Sequence, residues 1–358
     1  MYKRQLLVQV HTGATVTEFA GYVGNFISKI KGEGEREVKK VAHGVTIVAT
    51  GAEEFKPDEY LYGKDPRVVT LLELEEEIAR NSERFRSCDT LVMIQCVGSR
   101  ENSRPYCSRV CCSQALKNAL KLKAINPEMD IYVLYRDMRP YGFKEDYYRE
   151  AAEHEVKFIR YEAEDKPEVV LAEENGESIL RVTVTEPTLG QRLMIGADLV
   201  SLAVASIPST DNRKLSQLLK VPLNEDDFFM EAHMKLRPVD FATDGIFMCG
   251  LAHSPKFVDE SIAQAQAAAS RALTILSKEE IKAGGAVCVV HANKCTGCAL
   301  CQEACPFSAI QVDAKERAAV VNEALCKGCG ICAASCRSGA LDVGGISNQQ
   351  ILSLVKAF

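Results

Sequence analysis

The stretch "DTLVMIQCVGSRENSRPYCSRVCC", residues 89–112, decides how the middle of the chain folds. Its first seven residues are typical of a buried strand, and "QALKNALKLKAI", residues 114–125, is typical of a helix. A dinucleotide-binding fold carries glycines for a phosphate at such a strand–turn–helix corner. This corner instead carries four cysteines spaced C-x10-C-x3-C-C: Cys96, Cys107, Cys111 and Cys112. The segment is therefore predicted to be α/β, with sulfur where a phosphate is expected.

The spacing of these four cysteines alone leaves two interpretations open. Cysteine is among the residues most often buried, and Cys111 and Cys112 could pack as small apolar side chains where the helix opens. The alternative is that the four thiols ligate a metal cluster, although they contain no CxxC pair.

Further buried strands are predicted on both sides of this corner. They are "VAHGVTIVATG" (41–51), "ADLVSLAVAS" (197–206) and "DGIFMCG" (244–250). The segment "EVVLAEENGESILRVTVTEP" (168–187) is typical of a β-meander. This order of elements predicts one domain inserted into another.

An alanine-rich helix is predicted over residues 260–276. Small side chains let such a helix approach a sheet or a flat ligand closely. Its predicted apolar face comprises Ile262, Ala265, Ala269, Leu273 and Leu276.

The C-terminal region contains an internal duplication. Residues 295–306 read "CTGCALCQEACP" and residues 326–337 read "CKGCGICAASCR", so each cysteine recurs 31 residues later. Three closely spaced thiolates ligate one iron–sulfur cube, and the fourth cysteine reaches the other cube. One [4Fe–4S] cluster is therefore assigned to Cys295, Cys298, Cys301 and Cys336. The other is assigned to Cys326, Cys329, Cys332 and Cys305.

Zinc is the alternative for these motifs, since CxxC pairs also bind zinc. A duplicated run of four cysteines at this spacing is not needed for zinc, and the iron–sulfur interpretation is preferred. The second motif ends in Arg337 where the first has Pro306. Three other cysteines, Cys88, Cys249 and Cys288, have no partner at a useful spacing and are interpreted as structural.

The composition favours a soluble redox protein. The net charge of −6 argues against a nucleic-acid partner, and no apolar run is long enough to span a bilayer. Fifteen cysteines in a chain without an evident signal peptide indicate reduced thiols and metal ligation. A cytoplasmic location is therefore predicted.

Several separated segments carry a resemblance to a known family. The "ATG" and "DGIFMCG" turns with the alanine-rich helix resemble the thioredoxin-reductase type of flavoprotein. Four further segments are more specifically similar to the iron–sulfur, flavin-dependent subunit family of CoB–CoM heterodisulfide reductase. They are "MIQCVGSRENSRPYCSRVCC", "YVLYRDMRPYGFKEDYY", "GLAHSPKFVDESIAQAQAAA" and the ferredoxin repeat. This resemblance covers the chain from about residue 15 onward.

The resemblance implies an FAD and three [4Fe–4S] clusters, the third held by the four cysteines of residues 96–112. It also implies electron transfer within a complex, whose other members are a hydrogenase, formate dehydrogenase or ferredoxin and a disulfide-reducing subunit. The expected flavin contacts are Thr50, Gly51, Gly250, Leu251, Ala252, Lys256, Ser261 and Ile262. A surface position is the alternative for Lys256, and a plain turn is the alternative for Gly51.

The glycine-rich unit that normally holds the ADP half of FAD is not found at the N-terminus, which reads as strand and hairpin. The expectation is a fragment of a longer chain, or a second polypeptide that supplies this unit. A flavin-free electron carrier or docking module is the alternative function.

The predicted fold is an FAD/NAD(P)-binding-like domain, interrupted by a second nucleotide-binding-like α/β domain and followed by a small α+β ferredoxin-like domain. The FAD domain is expected at 1–87 and 206–284, the inserted domain at 88–205, the ferredoxin-like domain at 285–345 and a tail at 346–358.

Overall fold

The computed structural model describes residues 7–34, 37–80, 82–174, 176–188, 190–280, 286–323 and 325–357. The boundary predicted between residues 284 and 285 lies outside these ranges. The chain forms two compact units. The first comprises residues 1–46, 243–247 and 269–358, and the second comprises residues 47–242 and 248–268.

The described residues form nineteen strands and eight α-helices. The strands are β1 (Ala14–Tyr22), β2 (Asn25–Gly32), β3 (Val38–His43), β4 (Thr46–Val48), β5 (Ala52–Glu54), β6 (Val68–Thr70), β7 (Thr90–Val97), β8 (Asp130–Tyr135), β9 (Lys157–Arg160), β10 (Glu168–Glu174), β11 (Glu177–Glu186), β12 (Gln191–Ala197), β13 (Leu199–Val204), β14 (Ser206–Pro208), β15 (Ile246–Met248), β16 (Cys288–Val290), β17 (Ile310–Asp313), β18 (Ala318–Val321) and β19 (Leu341–Val343). The helices are α1 (Leu71–Arg80), α2 (Cys111–Ile125), α3 (Glu145–Glu153), α4 (Asn212–Leu219), α5 (Val258–Leu276), α6 (Leu300–Ala304), α7 (Ile331–Ser335) and α8 (Asn348–Ala357).

The second unit is built on a five-stranded parallel sheet in the order β6-β13-β7-β8-β9. Its central strands are apolar on both faces, as parallel strands covered on both sides must be. One face packs against α1 and α2, and the other packs against the antiparallel meander β10-β11-β12. The predicted strands at 89–95 and 197–206, the helix at 114–125 and the meander are confirmed.

The parallel sheet begins earlier in the chain than the boundary predicted at residue 88. Strand β6 pairs with β13, and all three of its residues are buried. The helix α1 that follows buries Leu71, Leu74 and Ile78 against the same sheet. A buried triplet is too short to be recognised as a strand without the neighbour it pairs with.

Two other predicted features change in the structure. The buried strand expected at 41–51 is divided between the end of β3 and the short β4, in which Val48 is buried and Ile47 is 41% exposed. Helix α5 forms, but the face predicted to pack is wrong. Ile262, Leu273 and Leu276 are 54%, 61% and 54% exposed. The buried positions are Ala268 and Ala272, because this helix packs through its smallest side chains.

The first unit contains the antiparallel sheet β1-β2-β3 and the cysteine repeat. Within the repeat, β16 pairs with β19, β17 pairs with β18, and α6 lies near α7. Helices α6 and α7 are separated by the same 31 residues as the cysteine motifs, so the duplication extends to the backbone. Among the residues described, no helix combines the length and apolar character needed to cross a bilayer.

Candidate metal and flavin sites

The four-cysteine corner lies at the carboxyl end of β7 and the start of α2. Cys96, one residue before the end of β7, has a left-handed backbone at φ 63°, and Gly98 just after the strand has φ 68°. A Cβ on Gly98 would lie 2.4 Å from the Phe55 ring, so the turn requires glycine there. Cys111 and Cys112 are the first two residues of α2. The turn therefore folds Cys107 back toward the strand and helix that carry the other three thiols.

The four thiols of this corner lie within electrostatic reach of one another. Interaction with Cys112, burial, and the neighbouring Cys96 and Cys107 all raise the pKa of the Cys111 thiol. Interaction with Cys111 lowers the pKa of Cys112. Cys96, Cys111 and Cys112 are 4%, 6% and 2% exposed. The structure thus brings together four residues that the sequence spacing alone could not group.

The surroundings of the corner fit a sulfur-rich anionic group. The backbone N–H of Arg109 donates to Cys107 Sγ at 3.3 Å, and the Arg100 guanidinium lies 3.9 Å from Cys96 Sγ. Gln95 and Ser113, next to Cys96 and Cys112 in the chain, hold buried polar atoms without a hydrogen-bond partner. The Arg109 amide and the Arg100 guanidinium are donors of the kind that the thiolate ligands of an iron–sulfur cluster accept.

The cysteines of the repeat line two separate cavities. One cavity is lined by Cys295, Cys298, Cys301 and Cys336, with Gly297 and Leu300 among its other residues. The other cavity is lined by Cys305, Cys326, Cys329 and Cys332, together with Cys288. Each cavity thus holds one of the two ligand sets predicted from the spacing.

The duplicated backbone directs amides at the same sulfurs in both halves. Four N–H groups donate to cysteine Sγ atoms across 3.3–3.4 Å: Cys288 to Cys326, Ala319 to Cys295, Ala309 to Cys305 and Ala340 to Cys336. The first two bonds are equivalent, because the 31-residue offset relates Cys288 to Ala319 and Cys295 to Cys326. The last two bonds are equivalent in the same way. Amide donors of this kind stabilise thiolates.

Glycines let the backbone approach closely at both cavities. A Cβ on Gly297 would lie 2.6 Å from the Arg317 carbonyl oxygen, and a Cβ on Gly328 would lie 2.0 Å from that of Ala286. Both glycines also have positive φ. Within the described ranges, no group of three or more His, Cys, Asp or Glu side chains is arranged to hold a single metal ion.

The predicted flavin contacts lie in the same unit as the four-cysteine corner. Gly51 and Gly250 have φ 76° and 71°, and a Cβ on either would meet nothing within 4 Å. Ser261 near the start of α5 holds a buried Oγ without a partner. Thr50 Oγ1 bonds Asn212 Oδ1 at 3.2 Å, and Ile262 is exposed. Open space beside two glycines and an orphaned hydroxyl fit a planar ligand.

Lys256 is buried, so the alternative of a surface lysine is wrong. The side chain is 8% exposed. Its Nζ donates to the carbonyl oxygens of Gly250 and Ser254, each at 2.9 Å. Burial, and then the positive charge of Arg109, lowers the pKa of Lys256 to about 8. The lysine therefore ties the 250–254 turn together while its own charge remains poorly solvated.

His253 and Gln264 support the same turn. His253 Nε2 lies 2.8 Å from Glu231 Oε2, and Gln264 Nε2 lies 2.9 Å from His253 Nδ1. The Gln264 Oε1 atom accepts the Gly250 N–H at 2.8 Å, so that amide is already paired. Of the proposed backbone contacts, Ala252 is fully buried with its carbonyl bonded to the Phe229 N–H, whereas Gly250 and Leu251 are partly exposed.

Arg109 joins the four-cysteine corner to the candidate flavin segment, and sequence reasoning missed it. Its guanidinium donates to the Pro255 carbonyl oxygen at 3.2 Å and to Glu260 Oε1 at 2.6 Å. It also bonds the Tyr141 hydroxyl. Its backbone, at φ 61°, carries the amide that donates to Cys107. One residue thus contacts both a candidate cluster ligand and the loop that holds Lys256.

Cys88 and Cys249 are buried in the second unit, as expected of structural cysteines. Cys288 differs from this expectation because it lines a cavity with four other cysteines. Burial, followed by interaction with Cys332 and Cys326, raises the pKa of the Cys288 thiol. The available signal was the offset of the repeat, which aligns position 288 with position 319.

Comparisons with known proteins support these observations. Residues 294–341 match a family described as "4Fe-4S dicluster domain", which confirms the prediction of an iron–sulfur protein. The chain is 38% identical over 300 residues to one subunit of the H2:CoB–CoM heterodisulfide,ferredoxin reductase of Methanothermobacter thermautotrophicus, covering 79% of this chain and 45% of the relative. It is 37% identical over 293 residues to a CoB–CoM heterodisulfide reductase iron–sulfur subunit of Methanocaldococcus jannaschii, covering 77% and 44%.

The chain thus spans less than half the length of these relatives. Among solved structures, it is similar to a NAD-dependent persulfide reductase from A. fulgidus. The two share 17% identity and a TM-score of 0.48, covering 78% of this chain and 47% of that one.

Proposed function

Because the chain belongs to this iron–sulfur subunit family of CoB–CoM heterodisulfide reductase, we propose that it transfers electrons between a flavin and iron–sulfur clusters. The single observation that carries the proposal is the bridge made by Arg109. This residue contacts the Cys107 thiol through its amide and the 255–260 segment through its guanidinium. A candidate cluster site and a candidate flavin site are therefore joined by the contacts of one residue.

The cluster ligands follow from the three groups of thiols. We assign one [4Fe–4S] cluster to each cavity of the repeat, with the cysteine sets that line them. A third cluster is assigned to the four-cysteine corner, where Cys111 interacts with the other three thiols and donors from Arg109 and Arg100 face Cys107 and Cys96. Four thiolates per site match the ligand number of a cubane cluster.

The flavin is assigned to the open side of the turns at Thr50–Gly51 and Gly250–Ala252. Lys256 donates a hydrogen bond to the Gly250 carbonyl oxygen of the second turn, and Ser261 and Ile262 lie near the start of α5. A flavin supplies two-electron chemistry and iron–sulfur clusters supply one-electron steps. The residues of this chain would position both groups, exclude water with Ala252 and Lys256, and place a cation near the ring.

Partners follow from the family and remain part of the proposal. A relative is named for a reaction that joins H2, ferredoxin and the CoB–CoM heterodisulfide. We infer that this chain receives electrons from a hydrogenase, formate dehydrogenase or ferredoxin and passes them to a disulfide-reducing subunit. The disulfide itself would be reduced on that partner protein. A cytoplasmic location is proposed, because fifteen thiols persist only in a reducing compartment.

The test is the cofactor content of the chain after anaerobic reconstitution. We expect about 12 irons and an equal amount of acid-labile sulfide per chain, four for each cube. Acid treatment should also release FAD, measured by its fluorescence, because cluster absorbance masks bound flavin. About 8 irons without FAD would contradict the proposal and favour the flavin-free electron carrier.

A further inference from the structure

Cys288 is a cysteine that the cluster assignment does not use. It is 5% exposed and lies on β16, which pairs with β19 at the back of the second cavity of the repeat. That cavity is also lined by the complete set of four ligands, Cys305, Cys326, Cys329 and Cys332. A fifth sulfur is therefore present where a cubane cluster needs four.

The contacts of Cys288 orient it toward this ligand set. Its backbone N–H donates to Cys326 Sγ at 3.3 Å. Its side chain lines the same cavity as Cys332 and belongs to the same buried cluster of side chains. The carbonyl oxygen of Val289 lies 3.9 Å from Cys288 Sγ, which is a weak contact. The thiol thus remains free to interact with ligand sulfur.

The duplication supplies an internal comparison for this position. Residue 319 occupies the equivalent place in the other half, and its N–H donates to Cys295 Sγ at 3.4 Å. Ala319 is 5% exposed, the same as Cys288. The two sites therefore share backbone, burial and amide donor at this position, and differ there by a single sulfur atom.

We propose that Cys288 is a fifth sulfur of the second cluster site, a tuning residue whose S–H donates to the Cys332 ligand and makes this cluster unequal to its duplicate. The inference rests on the proposed function, because it assumes that both cavities hold clusters. Hydrogen bonds to ligand sulfurs stabilise the more negative, reduced cluster and raise its reduction potential. The site without this donor, at Ala319, has no such contribution.

The experiment is an EPR-monitored redox titration of the reconstituted full chain and its variants. Cys288→Ala copies the residue of the other half, so it should fold and keep its iron. We expect the midpoint potential of one cluster to fall while the others stay unchanged. Cys288→Ser, which keeps a donor, should restore most of the shift. The reciprocal Ala319→Ser should raise the midpoint of the other repeat cluster.

Two results would overturn the inference without touching the proposed function. Midpoints in Cys288→Ala that match the wild type would show that the thiol does not influence the cluster. Loss of about four irons in Cys288→Ala would show that it is a ligand and not a donor. A wild-type chain whose repeat binds no iron would instead contradict the proposed function, and the inference with it.

Discussion

The four-cysteine corner and the cysteine repeat place thiols together by different means. In the repeat, every site takes three cysteines from one motif and one from the other, and both sites have an exposed member, Cys298 or Cys329. In the corner, all four cysteines come from residues 96–112, and three of them are buried. A duplicated backbone serves the repeat, whereas a single turn between a strand and a helix serves the corner.

This difference decides how each site can be recognised and disturbed. The repeat relies on glycines and amides that occur twice, so the spacing of its motifs predicts its geometry. The corner relies on tertiary contacts, such as the packing of Phe55 against Gly98 and the reach of Arg109 to Pro255. Substitutions should therefore act locally in the repeat and more widely around the corner.

The largest expected effect is the loss of a whole cluster from the corner. Cys112→Ala should remove about four of about 12 irons per chain, because a cube needs all four thiolates. The two repeat clusters should remain, since they lie in the other compact unit. Iron analysis after anaerobic reconstitution measures this. Cys88→Ala, a buried cysteine outside the three sites, is the matched control and should keep all its iron.

The next largest effect concerns two glycines with positive φ, Gly328 in the repeat and Gly250 in the candidate flavin segment. Gly328→Ala places a Cβ 2.0 Å from a backbone oxygen and should cost about 3 kcal/mol or more in the free energy of unfolding. Gly250→Ala keeps its open space and should cost about 1–2 kcal/mol from positive φ alone. Urea denaturation of both variants measures the ranking. Equal costs would contradict the close approach at Gly328.

The buried Lys256 in the candidate flavin segment predicts that the free energy of unfolding depends on pH. Its pKa of about 8 in the folded chain lies below its ordinary value of 10.5. Between these values the unfolded chain binds a proton that the folded chain has released, so stability rises with pH across this window. The wild type should therefore gain stability relative to Lys256→Met from about pH 8 to 10.5. A constant difference between the two proteins would refute the shift.

The smallest effect is the coupling between Arg109 and Glu260. Their side chains are 34% and 37% exposed, so solvent screens much of the attraction. A double-mutant cycle with Arg109→Gln and Glu260→Gln should give about 0.5–1 kcal/mol of coupling. The exposed pair Arg86–Glu83 is the control and should give less. A coupling energy no larger than that of the control would contradict the proposal that Arg109 links the two sites.

The sequence predicted those parts of the molecule in which neighbours along the chain determine the structure. The spacing of the repeat separated its eight cysteines into the two sets that line the cavities. The apolar run at 89–95 predicted β7, and alternation over 168–187 predicted the meander. In each case the pattern along the chain is sufficient to predict the local structure without any contact between distant residues.

The remaining features depend on contacts between distant residues. Helix α5 has apolar residues on more than one face, and periodicity could not tell that Ala268 and Ala272 are the buried ones. The burial of Lys256 and the reach of Arg109 across to Glu260 result from tertiary packing. Cys288 lacked a motif, and only its alignment with Ala319 through the duplication could have identified it.

The division of ligands among the sites has a consequence for biosynthesis. In the proposed assignment, all four thiols of the corner have been translated by residue 112, so this site has its full set of ligands before the repeat is synthesised. Neither site of the repeat has that independence. The ligand set of Cys295, Cys298 and Cys301 is complete only when Cys336, the last cysteine of the sequence, has been translated. Iron insertion should therefore proceed from the middle of the chain to its end, and a nascent chain halted before residue 336 would leave the first motif with three thiolates and no fourth.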